Sequence, residues 1–144
     1  MREVIPIYET RHKRERLQQP QVRTSSELFD VVAGYYKDLD REHLGILYLD
    51  SGLRVLGFKV ESIGATSKSI VDVRLLLKGA LLANASSIAL VHNHPSGQLS
   101  PSLEDRQLTR QIQHGCEIVG IRVIDHLIVA DGFFSFSDEG LMHN

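Results

Sequence analysis

Apolar residues recur along the chain either at helical spacing or in short compact runs, and the interleaving of the two patterns predicts helices laid against a sheet. Thr24-Ser25-Ser26-Glu27 forms a capping box, and Leu28, Val31, Val32 and Tyr35 follow at helical spacing, which predicts a first helix. Leu44 to Leu49 and Leu53 to Val60 are β-rich runs separated by the turn residues Asp50-Ser51-Gly52, the pattern of a hairpin. Asp72 caps a helix through about Ala83, whose Leu75, Leu76, Leu77, Leu81 and Leu82 make it apolar on most sides and hence buried. Ser87-Ile88-Ala89-Leu90-Val91 reads as a buried strand that emerges from the core at His92. A further helix is expected with Ser100 as N-cap, Pro101 in its first position, Leu103, Leu108 and Ile112 as a partial apolar stripe and Gly115 as its end. Strands follow near Ile118–Ile124, His126–Ala130 and Phe133–Phe136, the last two joined at Asp131-Gly132. The order of elements predicts an α/β (α+β) fold with a mixed central sheet flanked by helices, as one domain over residues 24–144.

Residues 1–23 differ in character. Arg11, Lys13, Arg14, Arg16 and Arg23 occur there with Glu15 as the only acid among them, and helical or strand periodicity is absent over most of the segment, so a flexible basic arm is expected. Over the whole chain 42% of residues are hydrophobic and 24% charged, a balance that supports a packed core in a soluble domain. No apolar run is long enough for a membrane span and no signal pattern opens the sequence. The single cysteine, Cys116, excludes an internal disulfide framework and fits a cytoplasmic protein; lying between a helix end and an apolar strand, it reads as a small buried filler.

The candidate chemistry lies in His92-Asn93-His94-Pro95-Ser96-Gly97 and the Ser102-Leu103-Glu104-Asp105 that follows. Alternate residues of an extended segment point the same way, so His92 and His94 can aim at one point while Asn93 turns aside. Pro95 stops the strand, Ser96-Gly97 turns the backbone, and Asp105 in the early turns of the next helix can face both imidazoles. Ser102 lies on nearly the same side of that helix. Ser102 to Asp105 also scores as a capping box, a reading that by itself needs no chemistry. Two imidazoles and one carboxylate with a fourth position left to water are the ligand set of a catalytic zinc ion, which makes His92, His94 and Asp105 the candidate metal ligands and Zn2+ the candidate cofactor.

His-x-His followed by Ser-x-x-Asp at this spacing resembles the JAMM (MPN-type, JAB domain) zinc metalloproteases. His-Asn-His-Pro-Ser-Gly at 92–97 and Pro-Ser-x-x-Asp at 101–105 are similar to the RadC-like branch of that family, as are Asn84-Ala85, Asp125-His126, Ser135-Phe136 and Glu139-Gly140-Leu141. The similarity runs from about Glu42 to Leu141. It implies the MPN/JAB (cytidine-deaminase-like) fold and a hydrolase that cleaves a peptide or isopeptide bond in a peptide or protein substrate with a metal-activated water. Glu42, opening Glu42-His43-Leu44-Gly45-Ile46-Leu47, is similar to the family's glutamate at the start of a core strand and is the implied general base. Glu61, on the next apolar strand, is the rival carboxylate. Ser102 is the implied donor to the tetrahedral oxyanion. Asp125-His126 admits two readings, a pair behind the metal ligands or a structural strand joint, and the second is preferred.

The sequence departs from that branch at Val73-Arg74, where Pro-Arg is usual, and at Gly64-Ala65, where Gly-Thr is usual, so residues 61–74 are expected to line the cleft differently. The branch also carries an N-terminal helix-hairpin-helix module for which this chain leaves no room, so a short form is expected. A nucleic-acid protein or metal-dependent nuclease is the alternative, prompted by the resemblance and the basic arm. A net charge of −2 supplies no whole-domain positive field for phosphate, so nucleic acid is not the favoured partner. A zinc deaminase is excluded because its Pro-Cys-x-x-Cys element needs more than one cysteine.

Overall fold

The structure, a computed structural model, describes residues 19–64 and 71–143. Helix α1 (Ser25–Tyr36) leads into strands β1 (Glu42–Leu49) and β2 (Val55–Gly64), then come α2 (Val73–Leu82), β3 (Ser87–Asn93), α3 (Leu103–Ile118), β4 (Arg122–Ala130) and β5 (Gly132–Ser135). The strands form one mixed sheet in the order β2-β1-β3-β4-β5, antiparallel except for the parallel pair β3 and β4. A parallel pair needs a long crossover, and α3 supplies it. The α+β class and the mixed sheet expected from the sequence are what the structure contains.

Alternation along the central strands sorts their side chains into two cores. Ile46, Tyr48, Ile88 and Leu90 pack with Leu76 and Ala80 of α2 and Ile112 and Cys116 of α3 on one face. Leu47, Leu49, Ala89, Val91, Leu127 and Val129 pack with Leu28, Val32 and Tyr36 of α1 on the other. With helices on both faces, β3 is buried along its whole length, which explains its continuous apolar run. Cys116 is buried, and burial pushes its thiol up to about 11, in keeping with a filler.

Several expected boundaries move. Residues 1–18 of the expected arm lie outside the described residues, whereas its last residues belong to the fold. Val55 donates to the Pro20 carbonyl at 2.9 Å, Val22 donates to Leu53 at 2.8 Å, and Val22 is buried in the second core. Strand β2 starts at Val55 rather than Leu53, because Asp50 Oδ1 accepts from both Gly52 and Arg54 and holds Leu53 at φ 60 inside the turn. It then runs on to Gly64; Ala65, half of one departure from the family pattern, lies outside the described residues.

Ser102, not Ser100, caps α3, since Ser102 and Asp105 close a reciprocal capping box. Gly115 does not end that helix. A Cβ there would sit 3.2 Å from Val73 and 3.3 Å from Leu77, so this glycine lets α2 approach α3 in mid-helix. The helix runs on to Ile118, and Gly120 beyond it, at φ 73, permits the paired closing bonds Ile121 to Cys116 and Gly120 to Glu117. The two strands expected around Asp125 are one strand, β4, in which Ile124 bulges between the pairs Ile88–Val123 and Ala89–Asp125. Asp125-His126 is therefore mid-strand and joins nothing. Among the described residues no helix is long and apolar enough to cross a membrane.

Candidate metal centre

The cluster forms at the end of β3, where the chain leaves the sheet beside the start of α3. His92 is the last buried side chain on the α2/α3 face of β3, opposite Leu44 of β1 and Ile128 of β4. His94 lies one step beyond the strand, and its N–H still donates to Val129 at 3.0 Å, so the ladder holds both histidines in extended register. Gly97, at φ 87, closes a turn by donating to the His94 carbonyl at 2.9 Å and sends the chain toward Ser102.

Asp105 completes the group from the first turn of α3. Its Oδ1 lies 3.1 Å from His92 Nε2, its Oδ2 lies 3.4 Å from His94 Nε2, and the two Nε2 atoms are 2.9 Å apart. A tetrahedral ion with bonds of about 2.0 Å has ligand atoms roughly 3.3 Å from one another, so the two imidazole nitrogens and the carboxylate stand close to the spacing such an ion requires. The group fits a metal ion. Both readings of Ser102-Leu103-Glu104-Asp105 hold together. Ser102 Oγ accepts from the Asp105 N–H at 3.0 Å while Asp105 Oδ2 accepts from the Ser102 N–H at 2.8 Å, and this leaves Oδ1 turned to His92.

The electrostatics favour a charged carboxylate beside His94. Burial opposes ionisation of Asp105, but contacts from His92 and His94, the His92 charge and the Ser102 N–H outweigh it and hold the carboxyl well below its ordinary range. His94 is raised, first by its contact with Asp105 against the effect of burial, then by the Gln98 carbonyl and the charges of Asp105 and Glu42. Its Nδ1 lies 2.7 Å from the Gln98 carbonyl, which can only accept. The proton of neutral His94 therefore sits on Nδ1, and Nε2 presents a lone pair to the cluster.

Glu42 opens β1 within electrostatic reach of His94. Glu42 stands two residues before Leu44, which pairs with His92, so alternation along β1 puts it on the sheet face that carries His92. Glu61 occupies a different place. It is the extra residue of a bulge in β2, and its carboxylate pairs with Lys59 at 3.2 Å. Ser102 is half-buried at the cluster. Its oxygen serves the cap as acceptor, and among the described residues its hydroxyl proton has no protein acceptor.

Two partners of the cluster, Asn93 and Thr109, were given no such part from sequence, and a third, His126, stood there only in the less favoured reading of Asp125-His126. Asn93 Nδ2 donates to the Arg41 carbonyl at 2.8 Å and its Oδ1 accepts from the His43 N–H at 2.7 Å, so it grips both peptide units around Glu42. Thr109 is buried on α3, one turn after Asp105, and its Oγ1 donates to the Asp105 carbonyl at 2.7 Å. That spacing was the available signal. His126 is fully buried, with Nε2 2.7 Å from His92 Nδ1 and Nδ1 2.6 Å from Thr109 Oγ1. Burial, then the His92 charge, hold it well below its ordinary value. The structural preference for Asp125-His126 thus divides between two residues. Asp125 takes the structural part, accepting from Ser135 at 2.6 Å and from the Ser137 N–H at 3.0 Å, while His126 stands behind a candidate ligand.

Residues 22–141 match the RadC-like JAB domain family, and the chain belongs to it. The sheet and helices described above are accordingly its JAB/MPN fold. Among similar proteins, a UPF0758 protein of Pseudomonas fluorescens is 43% identical over 123 residues, 85% of this chain and 55% of that protein. UPF0758 proteins of Desulforudis audaxviator and Rubrobacter xylanophilus are 43% and 37% identical over 124 and 123 residues, each covering 85% of this chain and 54% of the relative. The chain spans about half the length of these relatives.

Proposed function

We propose that the domain is a zinc-dependent hydrolase of the JAMM type that cleaves a peptide or isopeptide bond. The observation that carries this reading is the convergence of His92 Nε2, His94 Nε2 and the two oxygens of the Asp105 carboxylate at 2.9 to 3.4 Å, beside a carboxylate on the strand next to His94. Two imidazoles and one carboxylate suit zinc, which when bound supplies Lewis acidity and lowers the pKa of water in its open position.

The chain's own residues account for the rest. The Asp105 cap and the Gln98 carbonyl hold the carboxylate and His94 in ligating orientation. Glu42 is the group to accept a proton at its carboxylate during attack and to return it to the leaving nitrogen, with Asn93 fixing its backbone. Ser102 has a hydroxyl proton to give to an oxyanion. Glu61, committed to Lys59, is not the base in this reading.

The test is metal analysis of protein purified without chelator, followed by mass-spectrometric screening of peptide and isopeptide libraries. Near one zinc per chain, lost in Asp105→Ala, with cleavage abolished in Glu42→Gln, supports the reading. Cleavage of DNA or RNA by the zinc-loaded protein with no peptide product would replace it with the nuclease alternative.

A further inference from the structure

An imidazole that ligates through Nε2 while neutral must carry its proton on Nδ1, and that proton needs an acceptor. His94 has an unambiguous one in the Gln98 carbonyl. His92 does not. Its Nδ1 faces another imidazole nitrogen, Nε2 of His126, which can be either donor or acceptor.

The direction is decided at Thr109. Its hydroxyl has one proton, and the Asp105 carbonyl at 2.7 Å can only accept it. Thr109 Oγ1 must then meet His126 Nδ1 at 2.6 Å as an acceptor, so Nδ1 is the protonated nitrogen of His126. That leaves His126 Nε2 bare and able to accept from His92 Nδ1. Reversing any one link would point two N–H groups at each other or set two bare acceptors face to face.

We propose that Thr109 and His126 form a tautomer lock, in which the backbone carbonyl of Asp105 fixes the proton of His92 on Nδ1 and so keeps His92 Nε2 free for a metal ion. Both are positioning residues, since they act through His92 and offer no ligand atom of their own. One candidate ligand thereby orders another through the protein interior: Asp105 contributes its carboxylate directly and its carbonyl at the far end of the chain of hydrogen bonds. The stack of His126 on Phe136, with centroids 4.6 Å apart, holds the ring plane that the chain requires. The lock rests on the metal-site reading above for its purpose, but its proton pattern exists with or without metal.

The experiment uses protein labelled with 15N in its histidine rings, whose nitrogens report protonation directly by long-range proton–nitrogen NMR, before and after zinc is added. His126 protonated at Nδ1 and bare at Nε2 in both states is expected. A His126 proton on Nε2 in either state overturns the lock. Zinc affinity, measured against a competing chelator, should fall about 10- to 100-fold in Thr109→Val and recover to within a few-fold in Thr109→Ser, the scale typical of groups behind metal ligands. Unchanged affinity in Thr109→Val overturns the lock while the metal site stands. No zinc uptake by the unaltered protein overturns the metal-site reading, and the His126 tautomer then judges the proton order alone.

Discussion

Asn93 and Glu42 are joined without their side chains meeting: the Asn93 amide donates to the Arg41 carbonyl at 2.8 Å and accepts from the His43 N–H at 2.7 Å, so it clamps the backbone on both sides of Glu42. The residue between two candidate ligands thus ties their strand to the strand that carries the candidate base. Asn93→Ala leaves both backbone groups without that partner. We expect zinc content to persist while turnover falls about 100-fold, because displacement of a reacting group by about 1 Å costs that much. Metal analysis and kcat of the same preparation check it.

Glu42→Gln keeps the size of the side chain and removes its capacity to accept a proton. Loss of a general base lowers turnover by about two to four orders of magnitude. Zinc content should be unchanged. Glu61→Gln should leave turnover within a few-fold, since that carboxylate faces Lys59 in the β2 bulge; a large loss in Glu61→Gln with an active Glu42→Gln would exchange the two roles.

Removal of metal should destabilise the fold, because the ligands come from β3, the segment after it and α3. Zinc at 100 times its Kd contributes about 2.7 kcal/mol, which for a domain of this size corresponds to a Tm change on the order of 8 °C. Chelator should lower the Tm of the unaltered protein by about that amount and leave Asp105→Ala unmoved. Calorimetry with and without chelator decides it.

Most of the fold was legible because its elements announce themselves locally. The wholly apolar run before His92 is a strand buried on both faces, and the capping residues Thr24 and Asp72 stand where helices begin. The candidate ligands were legible because alternation and one helix turn suffice to bring them together. What was not legible depends on partners distant in sequence. Gly115 looks like a helix end until α2 is packed against it, and Asp125 looks like a break until Ser135 and Ser137 satisfy its carboxylate in mid-sheet. The grip of Asn93 on Arg41 and His43 spans fifty or so residues, as any contact between neighbouring strands can, and no local pattern encodes it.

Gly45 shows the same dependence at the strand that carries Glu42. A Cβ there would run into the Phe58 ring and lie 2.6 Å from the Tyr36 hydroxyl, which donates to the Val91 carbonyl at 2.7 Å in the interior. Gly45→Ala must displace both rings and weaken that hydrogen bond. Overpacking of this kind, with a buried carbonyl left short of its donor, costs about 2–4 kcal/mol. Urea unfolding of the metal-free protein should show this loss, and a change under about 0.5 kcal/mol would mean that the strand shifts freely to make room.

The metal-free protein should depend on pH through His94 and Asp105 in a way that zinc reverses. His94 is raised above 6.5 by Asp105, so its contribution to stability is complete below 6.5 and is lost as pH rises through its folded value. Asp105 is lowered below 3.8, so its contribution is present above 3.8 and lost as pH falls through its folded value. The pair therefore stabilises most between about pH 4 and 6.5. His126, lowered chiefly by burial, acts in the opposite sense near 6.5, so the comparison is made against His94→Gln, which keeps that burial and removes only the smallest of the His126 influences, the charge of His94. Without metal, the Tm advantage of the unaltered protein over His94→Gln should shrink from pH 6 to pH 8.5, over roughly the two units in which a raised imidazole titrates. With zinc it should grow over the same range, because the proton leaving His94 makes way for the ion and metal affinity rises as it departs. A difference independent of pH in the metal-free protein would mean that His94 and Asp105 are not coupled as their 3.4 Å separation requires.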